Sequence, residues 1–334
     1  MLDLSIIWAG IIAFGVLMYV VMDGFDLGIG ILFPFFPQQE ERDVMMNTVA
    51  PVWDGNETWM VLGGAALYAA FPLVYSAVLS ALYLPTLLMV VALIFRGVAF
   101  EFRFKANRTR HLWDLAFIWG SIIATFLQGV ILGAYIQGIT IVDGRFAGGS
   151  LDWLTPFSLF TGLGVLAAYA ALGCGWLILK TSKDLQASMY RLMPKLAVVL
   201  LVIFGGVSLW TPLHNPAIAE RWFSMPQFLY FSPVPVLVLW CTYAIWKACK
   251  EGQQLKPFAY TLALIGLGYS GFLISLWPMI IPPGITIWDA AAPESSQRFA
   301  LVGAVIMIPI ILAYTALAYW VFRGKVHVGE GGYH

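Results

Sequence analysis

Three short stretches concentrate the residues capable of chemistry. Met22-Asp-Gly-Phe-Asp-Leu-Gly-Ile-Gly30 sets Asp23 and Asp26 three residues apart, which puts both on one face of a helix. Val52-Trp-Asp-Gly-Asn-Glu-Thr-Trp59 repeats that spacing with Asp54 and Glu57, beside Trp53. Phe95-Arg-Gly-Val-Ala-Phe-Glu-Phe-Arg103 supplies Arg96 as a matching cation, with Glu101 beyond it. All three stretches lie inside or beside long apolar runs. An ionisable group in hydrocarbon costs at least about 2.5–3.5 kcal/mol on insertion scales, so each must be paired, hydrated or protonated. Two carboxylates on one face also raise each other's proton affinity. Taking up and releasing protons is the chemistry this pattern suggests.

Structural readings stand beside the functional one. Asp54 and Glu57 fall near a helix start, where the macrodipole favours acids without any further role. Arg96 and Glu101 can snorkel to an interface. Gly24-xxx-Gly28 and Gly63-Gly64 read first as sites of close helix packing.

The elements that hold these residues follow from composition. Of 334 residues, 60% are hydrophobic and 11% charged, and mean hydropathy is +0.83. A soluble domain carries about 25% charged residues, so this is a polytopic membrane protein. Lys+Arg and Asp+Glu each total 18, leaving no net charge to attract a nucleic acid. Fourteen Trp, 14 Tyr and 23 Phe suit many helices anchored at two interfaces. Apolar runs long enough to cross about 30 Å of hydrocarbon fall at roughly 5–34, 51–71, 75–100, 114–140, 157–179, 196–212, 229–246, 257–281 and 299–322. Pro72 ends the second, because it cannot continue the helical ladder. Loops of at most about 18 residues leave no room for an extramembrane domain.

Loop charges predict the orientation. Segments after the odd-numbered spans hold Arg42; Arg103, Lys105, Arg108, Arg110; Lys180, Lys183, Arg191, Lys195; Lys247, Lys250, Lys256; Arg323 and Lys325. The alternate loops hold only Arg145, Arg221 and Arg298. The positive-inside rule then puts the N-terminus outside and the C-terminus in the cytoplasm. On that orientation Asp23, Asp26, Asp54, Glu57 and Arg96 converge toward the cytoplasmic side of one helix bundle.

Other chemistries lack their residues. Cys174, Cys241 and Cys249 have no CxxC spacing and read as small buried thiols. No secretory signal is expected, since the first basic residue is Arg42. His111, His214, His327 and His334 lie in loops, at span edges or in the tail. A haem–copper centre needs several intramembrane histidines, and a membrane haem needs axial His or Met inside the bundle. No metal site and no phosphate loop or dinucleotide fingerprint is expected.

The stretches at Asp23–Gly30, Ala50–Trp59 and Phe95–Arg103 resemble the signatures of subunit II of cytochrome bd quinol oxidase. The resemblance covers nearly the whole chain, and the compact length is similar to the shorter, cyanide-insensitive type. It implies one all-α integral-membrane domain of about nine transmembrane helices. That domain would comprise two four-helix bundles, 1–140 with the acidic/Arg cluster and 157–281, plus a peripheral helix at 299–322. The complex it implies sits in the bacterial cytoplasmic membrane, oxidises ubiquinol or menaquinol and reduces O2 to water. Haems b and d belong to a larger partner, subunit I, so no complete active site is expected in this chain. A small accessory single-helix subunit, and a structural quinone or lipid in this chain, fit the same resemblance. Its proton-route roles carry over most directly to Asp54 beside Trp53, with supporting roles for Asp23, Asp26 and Arg96; Glu57 and Glu101 stand in the same motifs. The competing expectations are a pure scaffold for subunit I and a proton-coupled secondary transporter. Transporters favour midplane sites related by an internal repeat, and the second half of this chain has no counterpart to the acidic motifs.

Overall fold

The computed structural model describes residues 3–327, apart from the side chain of His214. The chain is mostly helical. Helix α1 (Leu4–Leu32) runs into a 3-10 turn at Phe33–Phe35, followed by α2 (Gln39–Asn47), α3 (Trp53–Ala70), α4 (Pro72–Ala81), α5 (Tyr83–Phe102) and α6 (Arg110–Gln137). A hairpin of β1 (Ile141–Val142) and β2 (Arg145–Phe146) leads to α7 (Pro156–Lys180), α8 (Lys183–His214), α9 (Pro216–Phe223) and α10 (Gln227–Phe231). Then come α11 (Pro233–Lys250), α12 (Leu255–Leu276), a second hairpin of β3 (Met279–Ile281) and β4 (Ile285–Thr286), and α13 (Glu294–Val321).

Among the described residues, eight helical segments are long and apolar enough to cross a membrane: α1, α5, α6, α7, α8, α11 with α10, α12 and α13. Helix α3 has 18 residues, about 27 Å at 1.5 Å per residue. Its first two turns carry Asp54, Asn56, Glu57 and Thr58, which lower its hydropathy. Among the described residues it stands outside the eight, against the nine spans expected.

Prolines explain where the helices depart from the apolar runs. The run expected at 75–100 is broken at Leu82, because Pro85 cannot donate to the Ala81 carbonyl. Helix α4 therefore stands apart from α5 and packs on the first hairpin. The eighth run stops at Leu276 rather than 281, since Trp277 precedes Pro278 and is extended, with ψ 137°. The sixth starts earlier than expected: α8 runs unbroken for 32 residues and absorbs the preceding basic loop. The amphipathic α2 falls in a segment with no expected element.

Helix α1 lies against α3, α6 and α7; α5 lies on α6, and α6 on α7. Helices α7, α8, α11 and α12 pack together, and α13 rests on α3 and α1. One end is closed by the two hairpins, joined by the Ile139 N–H to the Pro282 carbonyl at 3.2 Å. Asp3 caps α1 there and accepts a bond from the Trp288 indole at 2.7 Å. That indole N–H holds the Asp3 carboxyl below its ordinary value.

The tightest contact is between α1 and α7. A Cβ on Gly28 would run into the Tyr169 carbonyl, and one on Gly173 would stand 2.6 Å from the Gly28 carbonyl carbon. Two helix backbones touch here, which only glycine on both sides permits. Gly28→Ala should destabilise the protein by roughly 1–3 kcal/mol or prevent assembly. Gly10→Ala, at a position with open space around it, should leave the melting temperature of the detergent-purified protein unchanged.

Candidate functional site

Where α1, α3 and α5 meet, the bundle buries a set of charges. Arg96 of α5 is wholly buried, as are Asp23 and Asp26 of α1. Its Nη1 lies 2.7 Å from Asp23 Oδ1 and 3.4 Å from Glu57 Oε1 of α3, and its Nη2 lies 3.9 Å from Asp26 Oδ2. The residues arrive by helical register. Asp23 and Asp26 share a face of α1, and Arg96 is positioned by Gly120 of α6. A Cβ on Gly120 would stand 2.9 Å from the Arg96 backbone nitrogen.

Asn56 completes the cluster. Its Nδ2 donates to Asp26 Oδ2 at 2.8 Å and to the Met22 carbonyl at 3.3 Å. Its Oδ1 accepts from the Tyr319 hydroxyl of α13 at 2.9 Å. Among the described residues both Asp23 oxygens, Asp26 Oδ1, and Arg96 Nε and Nη2 lack a hydrogen-bond partner, because the ion pairs are close but not well aligned. Three carboxyl groups thus face one guanidinium, two of them wholly buried. Two uncompensated negative charges in such a place are costly.

The expected site residues separate into two groups. Asp23, Asp26, Arg96 and Glu57 are together, and Glu57 is the one that reaches the surface, with its side chain 23% exposed. Asp54 is exposed on the outer face of α3, one turn before Glu57. Glu101 is exposed and pairs with Lys105 at 3.8 Å. Trp53 stacks on Phe100 at 5.0 Å and 7°, and so fastens the start of α3 to α5.

A second cluster lies nearer the chain turns. Arg103 is wholly buried and pairs with Asp43 of α2 at 2.7 Å and with Asp114 of α6. Arg42 meets Asp114 at 2.9 Å, Arg110 pairs with Asp43, and Gln39 accepts from Arg103 at 3.2 Å. Three arginines meet two aspartates here, which leaves the cluster with one more cation than anions. In the sequence Arg42, Arg103 and Arg110 count as loop charges. The seven-residue spacing of Arg96 and Arg103, two turns on one face, is the signal that could have paired them. Phe33, Phe100 and Phe117 form a layer between the two clusters, with centroids 5.0 and 5.2 Å apart. Arg96 lies over Phe100 at 5.8 Å and Arg103 over Phe33 at 5.4 Å, one from each side.

Among the described residues no group of three or more His, Cys, Asp or Glu is arranged to hold a metal. His111 is exposed in the first turn of α6 and His327 follows α13; His214 ends α8, and His334 lies outside the described residues. Neither described imidazole stands between helices where a haem would need it. Cys174, Cys241 and Cys249 are free and buried.

The chain is similar to the cytochrome bd-I ubiquinol oxidase subunit 2 of Escherichia coli strain K12, at 29% identity over 97% of this chain and 95% of that protein. It is similar also to the cytochrome bd ubiquinol oxidase subunit 2 of Bacillus subtilis strain 168, at 28% identity over 98% of each. The structure of bd oxidase from Geobacillus thermodenitrificans shares the fold, with a TM-score of 0.81 and 14% identity over 96% of this chain and 99% of that one. The family model for cytochrome bd terminal oxidase subunit II matches residues 4–322. With that match over nearly its whole length, the chain belongs to the cytochrome bd terminal oxidase subunit II family and is one multi-pass membrane subunit of an oxidoreductase complex.

Proposed function

We propose that this chain is the haem-free partner of a haem-bearing subunit I in a quinol-oxidising terminal oxidase, and that its buried cluster passes protons toward that subunit. The ubiquinol oxidase names of the E. coli and B. subtilis relatives support the quinol assignment. The observation that carries the proton role is the convergence of Asp23, Asp26 and Glu57 on the single guanidinium of Arg96.

On this reading Asp54 stands at the mouth of the route and collects protons from cytoplasmic water. Glu57, half in and half out of the bundle, relays them to the buried group. Asp23 pairs with Arg96 at the shortest distance and stays ionised, and Asp26 holds the mobile proton while Asn56 fixes one of its oxygens. The three-phenylalanine layer stands between this cluster and the outer one, where both aspartates are already held by arginines. Haems b and d, ligated in subunit I, supply the O2 chemistry; this chain contributes proton delivery and packing. The basic loops support an outside N-terminus and a cytoplasmic C-terminus.

Turnover per haem of the purified complex tests the route. Glu57→Gln keeps shape but cannot titrate, so it should slow quinol-driven O2 consumption by at least ten-fold, about 1.4 kcal/mol of barrier, at normal haem content. Asp54→Asn should slow it less, since bulk water can still reach Glu57. Wild-type turnover in both variants would leave the chain a scaffold. Arg96→Leu strands buried carboxylates without a counter-charge at a cost of about 3–5 kcal/mol, and assembled complex should be lost from membranes. For orientation, Cys introduced at the exposed Asn107 should react with an impermeant thiol reagent in inverted vesicles and stay unlabelled in intact cells.

A further inference from the structure

The last helix is held by few residues, and one of its attachments lies outside the proton route just described. Of the 28 residues of α13 only Gln297 is buried, and a cleft lined by Val52, Gly55, Thr315 and Ala318 opens between its last turns and α3. Side-by-side packing therefore does little to fix the rotation and depth of α13. At the hairpin end the Trp8 indole of α1 donates to the Gln297 carbonyl at 3.2 Å. At the other end the attachment is to α7.

Lys180, the last residue of α7, is 6% exposed. A lysine at a helix end ordinarily sits in water; this ammonium donates to the Phe322 carbonyl and, at 3.1 Å, to the Gly324 carbonyl. The chain beyond α13 answers in the other direction. The Val326 N–H donates to the Lys180 carbonyl at 2.9 Å, and Lys325 Nζ to the Thr181 carbonyl at 2.9 Å. Carbonyls that the two helical ladders leave free at their ends are thus satisfied across the contact, and a cation meets the negative end of the α13 dipole. One turn back along α7, Trp176 packs edge-on against Tyr319, with centroids 5.9 Å apart at 79°, and its ring lies 5.1 Å from Lys180 Nζ. Lys180, Trp176 and segment 322–326 form one seat for the end of α13.

Tyr319 stands one turn before Phe322, and its hydroxyl reaches the buried cluster. It donates to Asn56 Oδ1 at 2.9 Å, while Asn56 Nδ2 donates to Asp26 Oδ2 at 2.8 Å and to the Met22 carbonyl at 3.3 Å. A carbonyl only accepts, so Met22 requires the amide nitrogen on its side and leaves the amide oxygen for Tyr319. Among the described residues Asn56 is the one hydrogen-bond donor to the Asp26 carboxyl, whose other oxygen has no partner. The path from Lys180 to Asp26 is continuous: the end of α13, the Tyr319 hydroxyl, the Asn56 amide, the carboxyl oxygen.

We propose that Lys180 is a positioning residue for proton transfer: by seating the end of α13 on α7 it holds Tyr319 against Asn56, and so fixes the Asp26 carboxyl within the cluster. The inference rests on the proton role proposed above and adds to it a residue from α7, a helix that contributes none of the cluster's charges.

The test uses the intact purified complex, with haem content as the check on assembly. Lys180→Met keeps the stem and removes the charge, and Tyr319→Phe removes only the hydroxyl; Lys180→Gln, a milder change, is read in the same way if Lys180→Met loses haem. Trypsin should release the peptide 326–334 from Lys180→Met about ten-fold faster than from the wild type, because cleavage follows the population of the unseated end. Turnover per haem should fall several-fold in Lys180→Met and by the same factor in Tyr319→Phe, with the same displacement of its pH profile. The double variant should be no slower than Tyr319→Phe alone, and Lys180→Arg should restore both turnover and resistance to trypsin. Unchanged cleavage in Lys180→Met would overturn the seat. Wild-type turnover in a Lys180→Met complex that is cut quickly would overturn the positioning role, as would losses that add in the double variant. If Glu57→Gln is slow while Lys180→Met is normal, only the positioning role falls. If Glu57→Gln is normal, the proton route falls, and fast cleavage in Lys180→Met then supports the seat alone.

Discussion

A guanidinium inside a membrane bundle has no water to turn to, and the arrangement of α1, α3 and α5 follows from how Arg96 is met. Its partners come from two other helices, so the charge is neutralised only after α1 and α3 have docked against α5. An unpaired Arg or Asp in hydrocarbon is expensive in either the separated or the misdocked state. The ion pair is therefore less a source of net stability than a penalty on every other packing. Asn56 extends the same logic to α13 by bonding both Asp26 and Tyr319.

Close backbone approach makes these distances attainable. Gly28 and Gly173 bring α1 and α7 into backbone contact, and Gly120 brings α6 against the backbone of Arg96. Without a hydrophobic driving force between helices in lipid, such contacts and interhelical hydrogen bonds supply the association energy. The glycine that follows Asp26 by two residues thus has a mechanical part in the site. It fixes the depth and rotation of α1, and with them where the two carboxylates point.

The two charged clusters differ in balance. The outer one sets three arginines against two aspartates, with Gln39 satisfying the remaining guanidinium donor of Arg103. It ties α2, α5 and α6 together at the end where α5 turns back. The inner one has more carboxyl groups than cations and can lower its energy by binding protons. The aromatic layer between them is apolar yet carries π faces toward both Arg96 and Arg103. Cations on the two sides are held apart without an unpaired polar group in between.

Much of this was legible in the residues. Composition alone determined a polytopic membrane protein, because hydrocarbon admits few charges and demands long apolar helices. The i, i+3 spacing of Asp23 and Asp26, and an arginine at a similar depth in another span, were enough to anticipate their meeting. The helix end at Pro72 is a local matter of a missing N–H and was read as such, whereas the breaks before Pro85 and Pro278 fell inside runs expected to be continuous. What only the tertiary structure decided is which side of each helix faces inward. Asp54 and Glu57 are three residues apart and look alike in sequence, yet Glu57 turns to Arg96 and Asp54 to the outside. Arg103 counted as a loop charge and is buried, because α2, which has no apolar signal, folds across it. Helical rotation is set by contacts between residues far apart in the chain: Gly28 with Tyr169, Gln128 with Tyr19, Asn56 with Tyr319. A periodic pattern fixes a face only when one side is polar and the other apolar, and in a lipid-facing helix both sides are apolar.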